Sequence, residues 1–279
     1  MKLSQAWSAY EADKRLLGYS KYTLKAYKIQ SDLLIRHFGD MEIKEVKTEH
    51  LKAYLLEAAK HLKPSSVNHR QRFIRSLFHW ARAEGYIDKN PAEKLREMKE
   101  GQRIPKALPE EDMEMLREGC RTAREHALVE VLFTTGCRIG EVYRLNRNAI
   151  DWTTRSMIVL GKGDKEREVC FTVKAAIWLK KYLSERKDDD MALFVTERDP
   201  HRLSIERMRE ILKEIAKRAE IQNNVYPHKL RHTYAVHLLN NGAPMEAIQN
   251  LMGHSKIETT QLYAQLSGER RRELYRRYF

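Results

Sequence analysis

A short segment with two prolines, residues 103–112 (RIPKALPEED), divides this chain of 279 residues into two parts. Pro105 and Pro109 cannot continue a helix, because proline has no amide hydrogen and its ring clashes with the preceding turn. Before the segment, apolar residues recur with the period of a helix, whereas after it helical segments alternate with β-branched runs. A chain of this length holds roughly two domains, each with its own core. The sequence therefore predicts a helical domain over residues 1–100, a linker over residues 101–110, and a mixed α+β domain over residues 111–279.

One predicted helix of the first domain has a basic face. Ser20 is a suitable N-cap, because its hydroxyl can accept a hydrogen bond from a free amide of the first turn. Apolar residues at helical spacing predict the side that faces a core: Leu24, Tyr27, Leu34 and Phe38. Lysines project from another side of the same helix: Lys21, Lys25 and Lys28.

A later helix repeats this design, with Ser65 or Ser66 as its predicted N-cap. Its core-facing residues are Val67, Ile74, Leu77, Phe78 and Ala81. At steps of four and three, a separate polar stripe follows: Asn68, Arg72, Arg75, His79 and Arg82. Two basic helical faces suit duplex DNA, where arginines reach phosphates or guanine edges. An ordinary solvated helix face explains the same pattern equally well.

The charge of the chain favours a polyanionic partner. There are 52 Lys and Arg residues against 39 Asp and Glu, a net charge of +13, which suits nucleic acid and also suits a well-solvated surface. The three cysteines have no metal-ligand spacing, so we expect no metal site and interpret them as small buried residues in a reducing compartment. No secretory signal and no membrane-spanning apolar run is found, so the predicted location is the cytoplasm, at the nucleoid.

The second domain begins with a predicted buried helix, residues 125–135 (EHALVEVLFTT), which Gly136 ends. The next segment, CRIGEVYRLNRNAI, starts another helix with Arg138 and Glu141 on one face. The runs SMIVL and REVCFTV, with the glycine-rich GKGDKE between them, predict a β-hairpin. The whole fold is thus predicted to be mainly α with a small antiparallel β-sheet.

Proline and glycine mark the C-terminal helices. Pro227 fits a first helical turn and Gly242 a stop, which places His228 and Arg231 one turn apart on a helix that runs to about residue 240. A second helix is predicted from Pro244 to Gly253. The tandem joined by NNGAP also has the form of a helix-turn-helix, although the buried pattern around it favours a core role.

A further capping box, Ser255 with Glu258, predicts a third helix, which carries Tyr263. A tyrosine hydroxyl is a weak nucleophile at neutral pH and needs a nearby base and cations. Guanidiniums can hold the charge that develops on the oxygens of a phosphodiester, and a lysine with a lowered pKa can protonate the leaving oxygen. The chain offers these groups in one order: Arg138, Lys162, His228, Arg231, His254 and Tyr263.

Taken singly, each of these residues has an ordinary explanation. Arg138 beside Glu141 can be a surface ion pair, and a lysine in a hairpin turn is usually solvated, with Lys165 as a competitor for the role of Lys162. The two histidines can be polar caps of helices, and the tyrosine can pack in a core. Cys137 has no partner base and is not expected to be a reactive thiol.

Five strings together resemble the catalytic domain of the tyrosine recombinases, the phage integrase and Xer family: TGCRIGE, GKGDKERE, HKLRHT, GHS and TTQLY. The resemblance implies Arg138 and Arg231 as phosphate clamps, Glu141 as a neighbour that orients Arg138, and Lys162 as a catalytic lysine. It implies His228 as the proton acceptor, with His254 completing the set and Tyr263 as nucleophile. In the first domain LKAY, NHRQRFIRSLFHWA and NPA resemble the family's helical, SAM-like core-binding domain.

This resemblance implies a site-specific DNA recombinase of the shorter Xer-type architecture. Its expected partner is a double-stranded DNA recombination site, cleaved through a 3′-phosphotyrosyl intermediate without metal or cofactor. The expected assembly is a homotetramer on DNA, or a heterotetramer with a second recombinase, in which residues 268–279 dock on a neighbouring subunit. Two alternatives are a type IB topoisomerase-like relaxing enzyme and a non-catalytic DNA-binding regulator on the same fold.

Overall fold

The structure, a computed structural model, describes residues 1–101, 107–161 and 166–253. The chain forms two compact units, Met1–Gln102 (the first unit) and Arg103–Phe279 (the second unit). The first unit is helical and the second combines helices with a three-stranded antiparallel sheet, so the predicted fold class is confirmed. Lys162, His254 and Tyr263 lie outside the described residues, as do the predicted capping box at residues 255–258 and the tail at residues 268–279.

Amphipathic helices build the first unit around an aromatic core. They are α1 (Leu3–Leu16), α2 (Lys21–Phe38), α3 (Thr48–His61) and α4 (Pro64–Ala83), with a 3₁₀ turn at Ile43–Glu45. Tyr10 and Phe73 are fully buried in this core, their rings meet edge to face, and the Tyr10 hydroxyl lies 2.6 Å from that of Ser76. Burial of large rings with a satisfied hydroxyl stabilises a helical bundle of this size.

Helix α2 follows its sequence prediction. The Ser20 side chain accepts a hydrogen bond from the Thr23 amide at 3.2 Å, as an N-cap should. Leu24 and Leu34 are buried in the unit. The three predicted lysines, Lys21, Lys25 and Lys28, are exposed.

Helix α4 begins two or three residues earlier than predicted. Its first residue is Pro64 and its N-cap is Lys63, so the prediction of Ser65 or Ser66 as the cap is wrong. The physical reason is that the first helical position needs no amide hydrogen, and the fixed φ of proline already suits the helix.

The second unit packs seven described helices and a small sheet. The helices are α5 (Glu110–Glu118), α6 (Ala123–Thr135), α7 (Ile139–Arg144), α8 (Val173–Glu185), α9 (Ile205–Arg218), α10 (Pro227–Asn240) and α11 (Met245–Met252), and a 3₁₀ turn lies at Arg147–Ala149. Helix α6 is buried nearly all round, with Ala127, Leu128, Val131 and Leu132 at 0% exposure. It is therefore the central element of this core, as its apolar sequence predicts.

The sheet consists of β1 (Ile150–Asp151), β2 (Ser156–Leu160) and β3 (Glu166–Cys170), in that order. The β2–β3 pair is the predicted hairpin, with Ser156 opposite Cys170. Strand β3 ends before the apolar run REVCFTV does, because Thr172 caps α8 by accepting a hydrogen bond from the Ala175 amide. The short β1 had no sequence prediction.

The end of the predicted linker belongs to the core of the second unit. Leu108 is buried there, and its amide donates to the Thr233 hydroxyl of α10 at 2.9 Å. A buried amide needs such a partner, so residues 107–109 are held in the unit rather than free between domains.

Two of the three cysteines are buried, as predicted, but Cys170 is exposed. It ends β3 out of phase with the buried Val169, and alternation along a strand turns its side chain to the solvent face. In the described residues no helix combines the length and apolar character needed to cross a bilayer.

Candidate active site

Arg138 stands at the N-cap of α7, where the buried end of α6 turns into the next helix. Its side chain is 35% exposed. Nη1 donates to Glu141 Oε1 at 2.9 Å, while Nη2 makes only a long contact, 3.4 Å, with the Gly253 carbonyl. One edge of this guanidinium is therefore fixed by a carboxylate, and the other retains hydrogen-bonding capacity for a ligand.

Glu141 is buried and accepts four hydrogen bonds. Two come from Arg138, from its backbone amide at 2.7 Å and from Nη1 at 2.9 Å. Two come from Arg167, at 2.9 and 2.7 Å. Burial opposes ionisation, but the hydrogen bonds from Arg167 and from the Arg138 amide outweigh it and hold the pKa of this carboxyl below its usual range. Glu141 is thus an ionised acceptor shared by two arginines.

Arg231, on α10, is a nearly buried cation at 4% exposure. Its Nη1 donates to the Gly136 carbonyl and its Nη2 to the Met252 carbonyl, both at 2.5 Å. Burial, and next the charge of Arg138, lower the pKa of this guanidinium to about 10. A lowered arginine pKa means that the cation lacks a fully compensating anion.

His228 lies one turn before Arg231 on α10. Burial lowers the pKa of its imidazole, and the charges of Arg231 and Arg138 add to the effect. The ring is therefore neutral at neutral pH and can accept a proton. The same influences act on His232, where burial, then the nearby His228 and Arg231, lower the pKa to about 4.

Two glycines close the backbone around Arg231. Gly136 ends α6 with a φ of 59°, and a Cβ there would lie 2.3 Å from Cδ1 of Tyr234. Gly253 ends α11 with a φ of 60°, directly before His254. Both positions favour glycine, because a side chain is strained at positive φ. At Gly136 a Cβ would also collide with the Tyr234 ring.

Three of the six predicted catalytic residues thus meet at one place. Arg138, His228 and Arg231 gather where the ends of α6 and α11 meet the start of α10, and their charges influence one another. The arrangement offers two guanidiniums and a neutral imidazole, a set suited to a phosphodiester.

Models of known families cover both units. The phage integrase family matches residues 106–270, and the phage integrase central domain matches residues 2–98. The chain belongs to the phage integrase family. This recombinase is 33% identical over 277 residues to the tyrosine recombinase XerC of Oceanobacillus iheyensis, covering 92% of this chain and 89% of that protein. It is 32% identical over 274 residues to XerD of Ralstonia nicotianae, covering 92% of this chain and 88% of that protein.

Solved structures share the fold of the recombinase. The XerA recombinase matches with a TM-score of 0.58 at 27% identity, covering 99% of this chain and 98% of that one. A lambda integrase dimer bound to a COC′ core site matches with a TM-score of 0.79 at 18% identity, covering 96% and 97%. The predicted family, a Xer-like tyrosine site-specific recombinase, is confirmed.

Asn68 differs from its sequence prediction. It was expected on an exposed, DNA-facing stripe of α4, but it is 1% exposed. Its Nδ2 donates to the Met98 carbonyl at 3.0 Å and to Glu100 at 2.7 Å, and its Oδ1 accepts from the Met98 amide at 2.8 Å. The amide fastens residues 98–100 to α4, so a direct contact with DNA is wrong for this residue.

The other stripe residues of α4 are exposed: Arg72, Arg75, His79 and Arg82. Arg72 binds Glu97 through Nε at 3.0 Å and Nη2 at 2.9 Å. On α2, Lys28 is paired with Asp32. Arg82 lies 3.9 Å from a carboxylate oxygen of Glu93. These cations are exposed to a ligand, but three of them must first exchange a carboxylate partner for it.

Arg167 is the site residue that sequence reasoning missed. It lies in the string GKGDKERE, yet only the lysines of that string, Lys162 and Lys165, were considered for a role. A detectable sign was present, because Arg167 is two residues from the apolar Val169 and therefore on the inward face of β3. Cys137, by contrast, behaves as expected: it is buried, and burial raises the pKa of its thiol to about 11.

Proposed function

We propose that this recombinase cleaves and rejoins double-stranded DNA at a recombination site, with Tyr263 as nucleophile and a 3′-phosphotyrosyl intermediate. The observation that carries the proposal is the convergence of Arg138, Arg231 and His228. An incompletely compensated pair of guanidiniums beside a neutral imidazole is suited to a phosphodiester approached by a nucleophile.

The charge balance of the site supports an anionic substrate. Arg138, Arg167 and Arg231 bring three positive charges, and Glu141 offsets one of them. A phosphodiester carries one negative charge in the ground state and gains more on its equatorial oxygens as a fifth ligand approaches. A bound phosphate would give Arg231 a compensating negative charge; burial, and next the charge of Arg138, lower the pKa of this guanidinium.

In the cleavage step the Tyr263 hydroxyl oxygen bonds to phosphorus while the bond from phosphorus to the 5′ oxygen breaks. His228 takes the phenolic proton, and Lys162 gives a proton to the departing 5′ oxygen. Arg138, Arg231 and His254 hold the oxygens of the transferring phosphate. The 5′-hydroxyl of a partner duplex then attacks the phosphotyrosine, which restores a phosphodiester and the free tyrosine without a metal or cofactor.

The DNA partner is supported by the relatives and by the exposed cations. Solved structures that share the fold include complexes with DNA, among them XerH bound to a palindromic difH substrate and a lambda integrase dimer bound to a COC′ core site. In the proposed arrangement residues 1–100 bind the duplex through Lys21, Lys25, Lys28, Arg72 and Arg75. Residues 101–110, of which residues 107–109 are held in the second unit, lead from them to a catalytic domain, residues 111–279. Such a protein acts at the nucleoid.

The proposed assembly is a tetramer on two DNA sites, formed by four copies or shared with a second recombinase. Residues 268–279 contain basic and aromatic side chains, and we place them on a neighbouring subunit. Deleting them should abolish cooperative assembly on DNA in gel-shift titrations, with the circular dichroism spectrum unchanged. Unaltered cooperativity would refute this part of the proposal.

The central test is a duplex with a nick beside the scissile phosphate, so that the short 5′ product diffuses away and the covalent complex accumulates. Wild-type protein should give an adduct that survives denaturing electrophoresis, and Tyr263→Phe should give none while binding the same DNA. Tyr263→Phe removes only a hydroxyl, so unchanged DNA binding by this variant shows that it is folded. Binding without an adduct in the wild type favours the regulator.

A second substrate separates recombination from relaxation. Two duplexes of different length, each with one intact site, should yield joined products of exchanged length. Relaxation of a supercoiled circle without any exchange between duplexes would favour the type IB topoisomerase-like alternative.

A further inference from the structure

Arg167 lies among the site's motifs, and its two terminal nitrogens are taken up by Glu141. It lies on β3, opposite Val159 of β2, five residues after Lys162 in the sequence. Its side chain is 15% exposed, and its two terminal nitrogens each bind one oxygen of Glu141. The same carboxylate holds both the backbone and the side chain of Arg138.

A planar guanidinium that grips both oxygens of a carboxylate fixes the orientation of that carboxylate as well as its charge. With both oxygens of Glu141 held by Arg167, the carboxylate cannot rotate away from Arg138. One edge of Arg138 is thereby anchored, so its free edge has a defined direction. Arg167 is thus connected to the orientation of Arg138 through Glu141.

A second contact connects Arg167 to the end of α11. A Cβ added to Gly253 would lie 3.0 Å from both Cδ and Nε of Arg167, so the arginine side chain packs directly on this glycine. Its buried Nε has no hydrogen-bond partner within the part of the chain that the structure describes. Gly253 precedes His254, and its carbonyl is also the one that Arg138 approaches. The Arg167 side chain therefore contacts the motifs TGCRIGE and GHS and itself belongs to the motif GKGDKERE.

We propose that Arg167 is a positioning residue of the recombinase, which acts through Glu141 to aim Arg138 at the scissile phosphate and so controls the cleavage rate rather than DNA affinity. This inference rests on the proposed function. If the two hydrogen bonds from Arg167 to Glu141 are lost, cleavage should be slowed. The slowing should be large for a negatively charged phosphate and small for a neutral linkage.

Methylphosphonate DNA makes this dependence measurable. Replacing one non-bridging oxygen of the scissile phosphate by a methyl group leaves a neutral linkage, which needs less help from a cation in the transition state. A variant with a mis-aimed Arg138 should therefore be slow on the natural phosphate and much less impaired on the neutral linkage. A variant with general structural damage should be slowed on both.

One variant is Arg167→Lys, which keeps the positive charge but cannot bind both oxygens of Glu141 in the geometry of a guanidinium. The second is Arg138→Ala, the reference for loss of the arginine that binds the phosphate. Arg117→Lys is the matched control. Arg117 also forms an arginine–glutamate pair, with Glu130, and the exposures of the two side chains, 17% and 2%, are close to the 15% and 5% of Arg167 and Glu141. Rates of covalent adduct formation are measured under single-turnover conditions on nicked duplexes, with each methylphosphonate diastereomer tested separately.

On the natural phosphate, Arg167→Lys should form adduct about 10- to 100-fold more slowly than wild type. Losses of this size are typical when a residue is changed whose hydrogen bonds orient a group that acts directly at the site. On the diastereomer that Arg138→Ala tolerates better, the loss should shrink to less than about threefold, and the Kd for DNA should change by less than about twofold. Arg117→Lys should stay within about twofold on both substrates. The double variant Arg138→Ala/Arg167→Lys should be no slower than Arg138→Ala alone, because the two act in series.

Equal slowing of Arg167→Lys on both linkages, unchanged cleavage of the natural phosphate, or additive losses in the double variant would overturn the positioning role while leaving the proposed function intact. No adduct with the wild-type protein would instead overturn the proposed function, and this inference with it.

Discussion

Two arginine–glutamate pairs with similar geometry lie in very different surroundings. In the first unit Arg72 binds both oxygens of Glu97, and the two side chains are 57% and 36% exposed. In the second unit Arg167 binds both oxygens of Glu141, at 15% and 5% exposure. Solvent and salt screen the first pair, whereas the second lies where charges interact strongly.

The difference indicates two uses of the same residue type. An exposed arginine can leave its carboxylate for a DNA phosphate at little cost, because water stabilises the intermediate state. A buried arginine cannot exchange partners freely, but it holds a direction and a charge in advance of the reaction. The first unit therefore suits binding and the second suits chemistry.

The largest effect expected from the buried side of this comparison is at Arg231. Arg231→Lys keeps the charge but cannot bridge the Gly136 and Met252 carbonyls, which Arg231 contacts at 2.5 Å. We expect adduct formation on nicked DNA to fall by about 10²- to 10³-fold, the usual loss for one transition-state donor. Arg207→Lys, which preserves a partly exposed cation of α9 that pairs with Glu214, is the control and should cleave at nearly the wild-type rate. Efficient cleavage by Arg231→Lys would contradict the assignment of Arg231 as a clamp.

The two glutamates should differ strongly in stability. Glu141→Gln leaves Arg138 and Arg167 without a neutralising charge in a buried place, and we expect the free energy of unfolding to fall by about 3–5 kcal/mol. Glu97→Gln should cost less than about 1 kcal/mol, since the pair is exposed. Urea denaturation followed by circular dichroism measures both. Similar costs for the two variants would show that burial does not distinguish these pairs.

Two neighbours on α4 test the comparison within the first unit. Asn68→Ala removes three hydrogen bonds of a buried amide and should lower the free energy of unfolding by about 1–3 kcal/mol. Arg75→Ala should change stability by less than about 0.5 kcal/mol. On DNA the order reverses: Arg75→Ala should reduce the slope of log K against log salt by about 0.9, the effect of one lost phosphate contact. An unchanged slope would remove Arg75 from the interface.

The last expected effect is an acid sensitivity of the second unit. The pKa of His232 is about 4 in the folded protein and about 6.5 in an unfolded chain. Between these pH values the unfolded state therefore binds more protons than the folded state. The contribution of His232 to the free energy of unfolding is fully present above about pH 6.5 and is lost as the pH falls toward 4. The loss should be at most about 2 kcal/mol, because the ring is only partly buried.

Urea midpoints at a series of pH values measure this loss. His232→Asn should reduce the acid sensitivity, while His79→Asn, at an exposed position of α4, should retain it. Equal acid sensitivity in wild type and His232→Asn would show that another group is responsible.

Much of the fold was predictable because its signals are local. The Ser20 cap, the glycine after α6, Pro227 at the start of α10 and the β2–β3 hairpin each depend on residues within a few positions of one another. Helical and strand periodicity also act over short distances, so the division into a helical and a mixed part followed from sequence. The motif order predicted the family for the same reason.

The amino-acid sequence by itself determined most of the elements, where several of them end, and which residue types a phosphoryl-transfer site has at its disposal. Only the tertiary structure decided that Asn68 is buried, that Leu108 belongs to a core and that Arg167 binds both oxygens of Glu141. Those outcomes join residues 30, 125 and 26 positions apart. The direction and burial of a polar side chain depend on which distant segment packs over it, and no local pattern carries that information.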